Sequence, residues 1–77
     1  MHIREVFARN LRKARNAKGL SQEALAYEAE VDRTYISALE RCEYSATIDM
    51  VDKLATALDV EASVLLERPM RVRPRKA

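Results

Sequence analysis

The chain has 77 residues, 48% of them hydrophobic, and a formal net charge of +2. A chain of this length makes one small domain, and with one Phe, three Tyr and no Trp its core has to be built from Leu, Val, Ile and Ala. One Cys allows no internal disulfide, no apolar run approaches the ~20 residues of a membrane span, and one Gly and two Pro among abundant Ala and Leu point to an all-α fold.

No signal peptide is visible, so a reducing cytoplasm is the expected location. The modest net charge hides a pattern. Residues 1–20 carry six bases and one acid, residues 21–67 three bases and eleven acids, and residues 68–77 five bases and no acid. Two basic ends flank an acidic middle, which suits a nucleic-acid partner if the basic ends and the contacting element share a face.

The first helix is predicted from Ile3 to about Lys18. Ile3, Phe7, Leu11, Ala14 and Lys18 follow helical spacing, and Val6 and Ala17 widen the apolar stripe. Arg4, Arg9, Arg12 and Lys13 fall largely on the remaining surface. Lys18 complements the helix dipole and Gly19 takes a left-handed stop. Ser21 caps a second helix with Glu23 in its first turn; Leu25 and Ala29 are core candidates, and Glu28 to Val31 make a turn with Val31 inward.

Asp32 caps a third helix that runs to about Arg41. Ile36 and Leu39 face the core, with Tyr35 at its margin, which leaves Arg33, Thr34, Ser37 and Ala38 outside. Small and hydrogen-bonding side chains on an outer face are what entry into a groove requires. Ser21–Arg41 therefore reads as a helix-turn-helix that would place Asp32–Ala38 in a DNA major groove.

Cys42 to Ala46 form a loop. Thr47 caps a fourth helix, Ile48 to about Leu58, with Ile48, Val51, Leu54, Ala55 and Leu58 as its apolar stripe. A fifth, short helix runs from Glu61 to about Glu67. Its Val64, Leu65 and Leu66 are richer than docking of a terminal helix needs, so this cluster is the expected dimer interface. The expected organisation is one domain over residues 1–67 and a flexible basic tail over 68–77.

The sequence offers no Cys–His–acid set at catalytic or metal-ligand spacing and no phosphate loop, and His2 stands alone. No enzyme activity, cofactor, metal site, membrane contact or small-molecule ligand is expected. Cys42 is more simply a tolerated small loop residue than a redox switch.

These residues carry a family resemblance. Gly19-Leu20-Ser21-Gln22-Glu23-Ala24-Leu25-Ala26, Val31-Asp32-Arg33-Thr34-Tyr35-Ile36-Ser37, Leu39-Glu40-Arg41 and Leu54-Ala55-Ala57-Leu58-Val60 resemble the Cro/cI (phage repressor, XRE) helix-turn-helix family over about residues 6–66. The resemblance implies a compact, lambda-repressor-like bundle of five helices. It also implies a homodimer on double-stranded DNA, reading two half-sites of a near-palindromic operator as a transcription regulator.

It implies roles for residues as well. Gln22 looks like the family's glutamine that binds a phosphate and steadies the reading helix, a role that a helix N-terminus suits on its own account. Arg33, Thr34, Ser37 and Ala38 fall where family members meet base edges. Arg33 can pair in two-pronged fashion with guanine, and Ala38 can meet only a thymine methyl. Asp32 either accepts from cytosine N4 or only caps the helix. Arg41, Tyr44 and Ser45 lie in the region that grips phosphates, and the Tyr35 hydroxyl is a further phosphate candidate beside its packing role. Arg15 and Glu40 resemble the family's partly buried structural ion pair.

Three positions depart from the pattern. Glu30 and Cys42 stand where the family usually has Gly. A non-Gly residue in the left-handed region costs about 1 kcal/mol or more, so these turns are expected to be strained or differently shaped. Glu43 puts an acid where a base is common. A restriction–modification controller, a phage-type repressor and a metabolic regulator share all these features. The rival reading is a protein-interaction module or antitoxin-like subunit using the same fold, motivated by the acidic middle.

Overall fold

The computed structural model describes residues 2–69, which form five helices and no strand: α1 Ile3–Ala17, α2 Gln22–Ala29, α3 Arg33–Glu40, α4 Ile48–Leu58 and α5 Ala62–Leu66. The basic tail expected over 68–77 lies, from residue 70 onward, outside the described residues.

Side-chain oxygens start three of the helices. Ser21 Oγ accepts from the Ala24 N–H at 2.9 Å, Asp32 Oδ1 from Thr34 N–H at 2.9 Å, and Thr47 Oγ1 from Met50 N–H at 3.0 Å. Each satisfies one of the donors that a helix leaves open at its N-terminus. The first helix starts differently, with the His2 N–H donating to the Glu5 carboxylate at 3.2 Å.

One device ends α1, α2, α3 and α4. A residue with positive φ follows the helix, and the next N–H reaches back five residues to a free carbonyl. Gly19 has φ 74°, and Leu20 N–H donates to Arg15 O at 3.0 Å. Glu30 has φ 59°, with Val31 N–H to Ala26 O at 2.9 Å. Cys42 has φ 64°, with Glu43 N–H to Ala38 O at 2.9 Å, and Asp59 has φ 59°, with Val60 N–H to Ala55 O at 3.0 Å. Glu30 and Cys42 thus keep the shape a Gly would give and accept its conformational cost. After three of the four stops the returning residue is apolar, Leu20, Val31 or Val60, and packs against the core. After the stop at Cys42 it is Glu43, exposed.

The helices close in a ring of contacts: α1 on α5, α5 on α4, α4 on α2, α2 on α3 and α3 on α1. Inside it lie Phe7, Leu11, Leu25, Ala26, Ala29, Ile36, Leu39, Val51, Leu54, Ala55, Leu58 and Leu65. A fully buried Leu contributes roughly 1.5–3 kcal/mol over an exposed one. The paired helices α2 and α3, with eight residues each, would be marginal alone and are held by this shared core.

Helix ends bring corrections. Ile48, expected in the stripe of α4, is 84% exposed, because it is the first residue of that helix and its turn extends past the core. Ala17 and Ile3, at the two ends of α1, are exposed for the same reason, while Ala8 is buried beside Val6 and Phe7. Leu65, expected at a dimer interface, is 0% exposed and belongs to the core. Of that trio, only Val64 and Leu66 reach the surface.

Candidate nucleic-acid interface

Helix α3 is fixed from behind. Ile36 and Leu39 are buried in the core, and so is the side chain of Glu40, the one charged residue buried among the described residues. A buried carboxylate is tolerated only with partners, and Glu40 has them from two helices. Arg15 of α1 donates Nε to Oε2 at 2.6 Å and Nη2 to Oε1 at 3.0 Å, and its Nη1 reaches Leu20 O at 2.8 Å. Gln22 of α2 donates Nε2 to Oε1 at 3.1 Å. Arg12 lies 3.6 Å from the carboxylate and donates Nη2 to the Glu40 backbone oxygen at 3.3 Å. Burial works to raise the Glu40 carboxyl, but the Arg15 and Gln22 hydrogen bonds and the two guanidinium charges together hold it below the usual carboxylate range.

The Arg15–Glu40 pair named from the family pattern is therefore in place. Arg12 and the Gln22 contact complete a three-helix knot that the sequence did not disclose. The available signal was that Arg12 and Arg15 are three apart and share a helix face. Gln22 steadies α3 through Glu40 rather than by touching a reading residue.

On the other side of α3, Asp32, Arg33 and Thr34 are exposed and Ser37 is partly so. Thr34 donates its hydroxyl to Asp32 Oδ1 at 2.6 Å, beside the backbone cap from the same residue. These two bonds hold the Asp32 carboxyl below its ordinary value. Ser37 accepts from Arg41 Nη1, one turn further on. Arg41 also meets the Glu43 carboxylate, Nε to Oε2 at 2.9 Å and Nη2 to Oε1 at 3.1 Å. Arg41 is raised and Glu43 lowered from their ordinary values, chiefly by this hydrogen bonding.

The loop after α3 packs through aromatics. Tyr35 and Tyr44 stack with centroids 6.0 Å apart and planes at 29°, within the range in which aromatic pairs attract. Tyr44 stays mostly exposed, and Ser45 beside it is exposed.

Ala38 does not lie on the outer face. It is only 4% exposed, at the floor of a shallow depression whose walls are Asp32, Thr34, Tyr35, Arg41, Glu43 and Tyr44. A single methyl is screened by these longer neighbours. The structure thus brings Asp32, Arg33, Thr34, Ser37, Arg41, Tyr44 and Ser45 to the surface of α3 and its following loop, and removes Ala38 from it.

Much of the acidic middle sits elsewhere. Glu28, Glu30, Asp49, Asp52 and Asp59, with Lys18 and Lys53, line a groove to which α3 contributes no residue. Arg12, beside the Glu40 backbone, puts one base of α1 at the end of α3.

Comparison with known proteins agrees with this architecture. The helix-turn-helix family model matches residues 11–65. A hypothetical transcription factor of Neisseria meningitidis serogroup B is 45% identical over 67 residues; the match covers 87% of this chain, which spans 63% of that protein. The control protein C.SmaI of Serratia marcescens is 43% identical over 68 residues, covering 88% and 81% of the two chains. Among solved structures, the restriction–modification controller C.Esp1396I, as a tetramer in complex with its natural 35-base-pair operator, superposes with a TM-score of 0.78 at 34% identity, over 84% of this chain and 86% of that one. With the capped pair α2–α3 at its centre and a family match over most of its length, the chain belongs to the Cro/cI (XRE) family of helix-turn-helix DNA-binding proteins.

Proposed function

We propose that this chain is a sequence-specific transcription regulator that binds double-stranded DNA as a homodimer, with α3 of each protomer in the major groove of one half-site. The observation that carries the reading is the division of α3. One side is locked into the core and the Glu40 knot, and the other presents the polar side chains of Arg33, Thr34 and Ser37. Arg33 is the main reader, since a guanidinium matches the two acceptors of a guanine edge, a contact worth about 1–3 kcal/mol of discrimination. Asp32 and Thr34 act as a bonded unit at the tip of the helix.

Gln22, Arg41, Tyr35, Tyr44 and Ser45 supply phosphate contacts, which set the register and orientation of the protein on the duplex. Val64 and Leu66 form part of the protomer–protomer contact. The two half-sites of a near-palindrome would stand about 34–36 Å apart, one helical turn. That the similar controller C.Esp1396I crystallises as a tetramer on its natural 35-base-pair operator supports the reading.

Selection of bound duplexes from a random pool tests it. A palindromic consensus is expected, with binding that weakens steeply as salt rises. Arg33→Ala is expected to relax the consensus at one position per half-site, and Gln22→Ala to weaken all duplexes similarly. A pool that yields no consensus, or a consensus unchanged in Arg33→Ala, counts against the reading.

A further inference from the structure

We propose that Glu43 determines specificity by latching Arg41: it holds the guanidinium in the free protein and on unrelated DNA, and gives it up only on the preferred site. The proposal rests on the DNA-binding reading above.

Glu43 breaks the rule that the other helix stops follow. Leu20, Val31 and Val60 turn inward to cover the core, whereas Glu43, in the same place, turns out to the surface that carries α3. Its backbone is not loose, because its N–H is bound to Ala38 O at 2.9 Å. The left-handed Cys42 lets positions 41 and 43 bring their side chains together. Arg41 then has Nε and Nη2 on Glu43 and Nη1 on Ser37. Every nitrogen of its guanidinium is engaged, on the very loop where phosphates are to be held.

A closed latch is close to neutral. Binding to DNA of arbitrary sequence depends on phosphate neutralisation, each contact contributing about 0.9 to the salt dependence. Arg41 adds nothing to such binding while Glu43 holds it. On the preferred site, Arg33 and Thr34 fix the depth and rotation of α3 and bring one phosphate within reach of Arg41. A phosphate takes the guanidinium in the same two-pronged manner as a carboxylate. Glu43, with its side chain 53% exposed, has water to turn into. Affinity for unrelated DNA is thereby reduced more than affinity for the operator.

The test uses the full chain with a duplex selected from a random pool and a shuffled duplex of equal composition, each titrated over a salt series. Wild type, Glu43→Gln, Arg41→Gln and the double variant are compared after their melting curves are matched. Glu43→Gln is expected to tighten the shuffled duplex about 5-fold, the effect of one unit-charge contact near 4 Å in water. Its salt slope should steepen by about 1, while the selected duplex tightens less than about 2-fold. The gain should vanish in the Arg41→Gln background. Equal tightening on both duplexes, or a gain that persists without Arg41, would mean that Glu43 acts only as bulk charge and overturns the latch. So would a lost base preference in Glu43→Gln, which would make it a direct reader. A pool with no preferred duplex removes the DNA-binding reading and the latch together; a preferred duplex with equal tightening removes the latch alone.

Discussion

Arg15 Nε and Glu40 Oε2 stand 2.6 Å apart across 25 residues of sequence, and the pair spans the first and third helices. Glu40 is the last residue of α3, so this contact sets where the reading helix ends relative to the bundle. Burying a charged pair is weak evidence for stability, since the cost of desolvation offsets much of the attraction. Its use here is positional: α3 cannot roll or slide without opening a bond to Arg15 and another to Gln22.

That arrangement makes a pH prediction. Glu40 has a lowered carboxyl in the folded state, and an unfolded Glu titrates near ~4.3. Its contribution is complete above the unfolded value and is lost as pH falls through the folded one, because the unfolded chain binds the extra proton first. Thermal melts between about pH 6 and 3 should therefore show an acid limb that shrinks in Glu40→Gln. The same substitution should cost roughly 3 kcal/mol at neutral pH by leaving Arg15 inadequately paired. An acid limb identical to wild type would place the depressed carboxyl elsewhere.

The fifth helix separates core from surface at neighbouring residues. Leu65 is fully buried, while Val64 is 40% and Leu66 39% exposed. Leu65→Ala should cost about 2–5 kcal/mol, a large share of the stability of so small a domain, and be visible as a lower melting temperature. Leu66→Lys should keep the helical spectrum and shift sedimentation toward the monomer. A Leu66→Lys dimer as tight as wild type would take α5 out of the protomer contact.

Tyr44 provides a third test, on the loop. Its ring lies on Tyr35, and aromatic pairs contribute about 0.5–1.5 kcal/mol beyond their buried area. Tyr44→Ala should cost about 1 kcal/mol and increase hydrogen exchange at loop residues 42–46 more than at α3. Tyr44→Phe should keep the stack and, if the hydroxyl meets a phosphate, weaken duplexes of all sequences alike. Protection unchanged in Tyr44→Ala would show that the backbone bonds at Ala38 and Leu39 and the Arg41–Glu43 pair order the loop without the stack.

Most of the fold could be read from periodicity. Leu11, Leu25, Ile36 and Leu54 were expected inside and are buried, because each lies mid-helix, where the stripe and the neighbouring helix coincide. Periodicity identifies a face but not how far a neighbour extends along it, which is why Ile48 and Leu65 came out reversed. Ala38 was misplaced for a related reason: position on a wheel ignores the length of adjacent side chains, and a single methyl is only 4% exposed among Tyr35, Arg41 and Tyr44, which line the same depression. The Glu40 knot joins residues 18 and 25 apart and is tertiary by nature. Only family likeness pointed to Arg15, and the i, i+3 spacing of Arg12 was the one local sign of its companion. The Arg41–Glu43 pair is local, yet it depends on a left-handed Cys42, which the sequence raised only as a question of strain.

That strain provides the last prediction. Glu30, Cys42 and Asp59 all sit in the left-handed region with φ between 59° and 64°, where a β-carbon crowds the backbone and Gly does not. Glycine there relieves about 1 kcal/mol or more, against which its greater freedom in the unfolded chain counts about 0.4–1 kcal/mol. The net gain should therefore be small and positive, and it should differ among the three. Asp tolerates this conformation better than most residues, so Asp59→Gly should gain least. Glu30→Gly should gain more, because it also removes one acid from a groove already lined by Glu28, Asp49, Asp52 and Asp59. A gain of 1 kcal/mol raises the melting temperature by about 4–8 °C in a domain this size, which a thermal scan detects readily. Cys42→Gly is the informative one for function. It relieves strain while freeing the hinge between Arg41 and Glu43, so stability should rise as the latch loosens, and affinity for a shuffled duplex should rise with it. A Cys42→Gly variant that is more stable yet unchanged toward DNA would show that the latch does not depend on the stiffness of the turn.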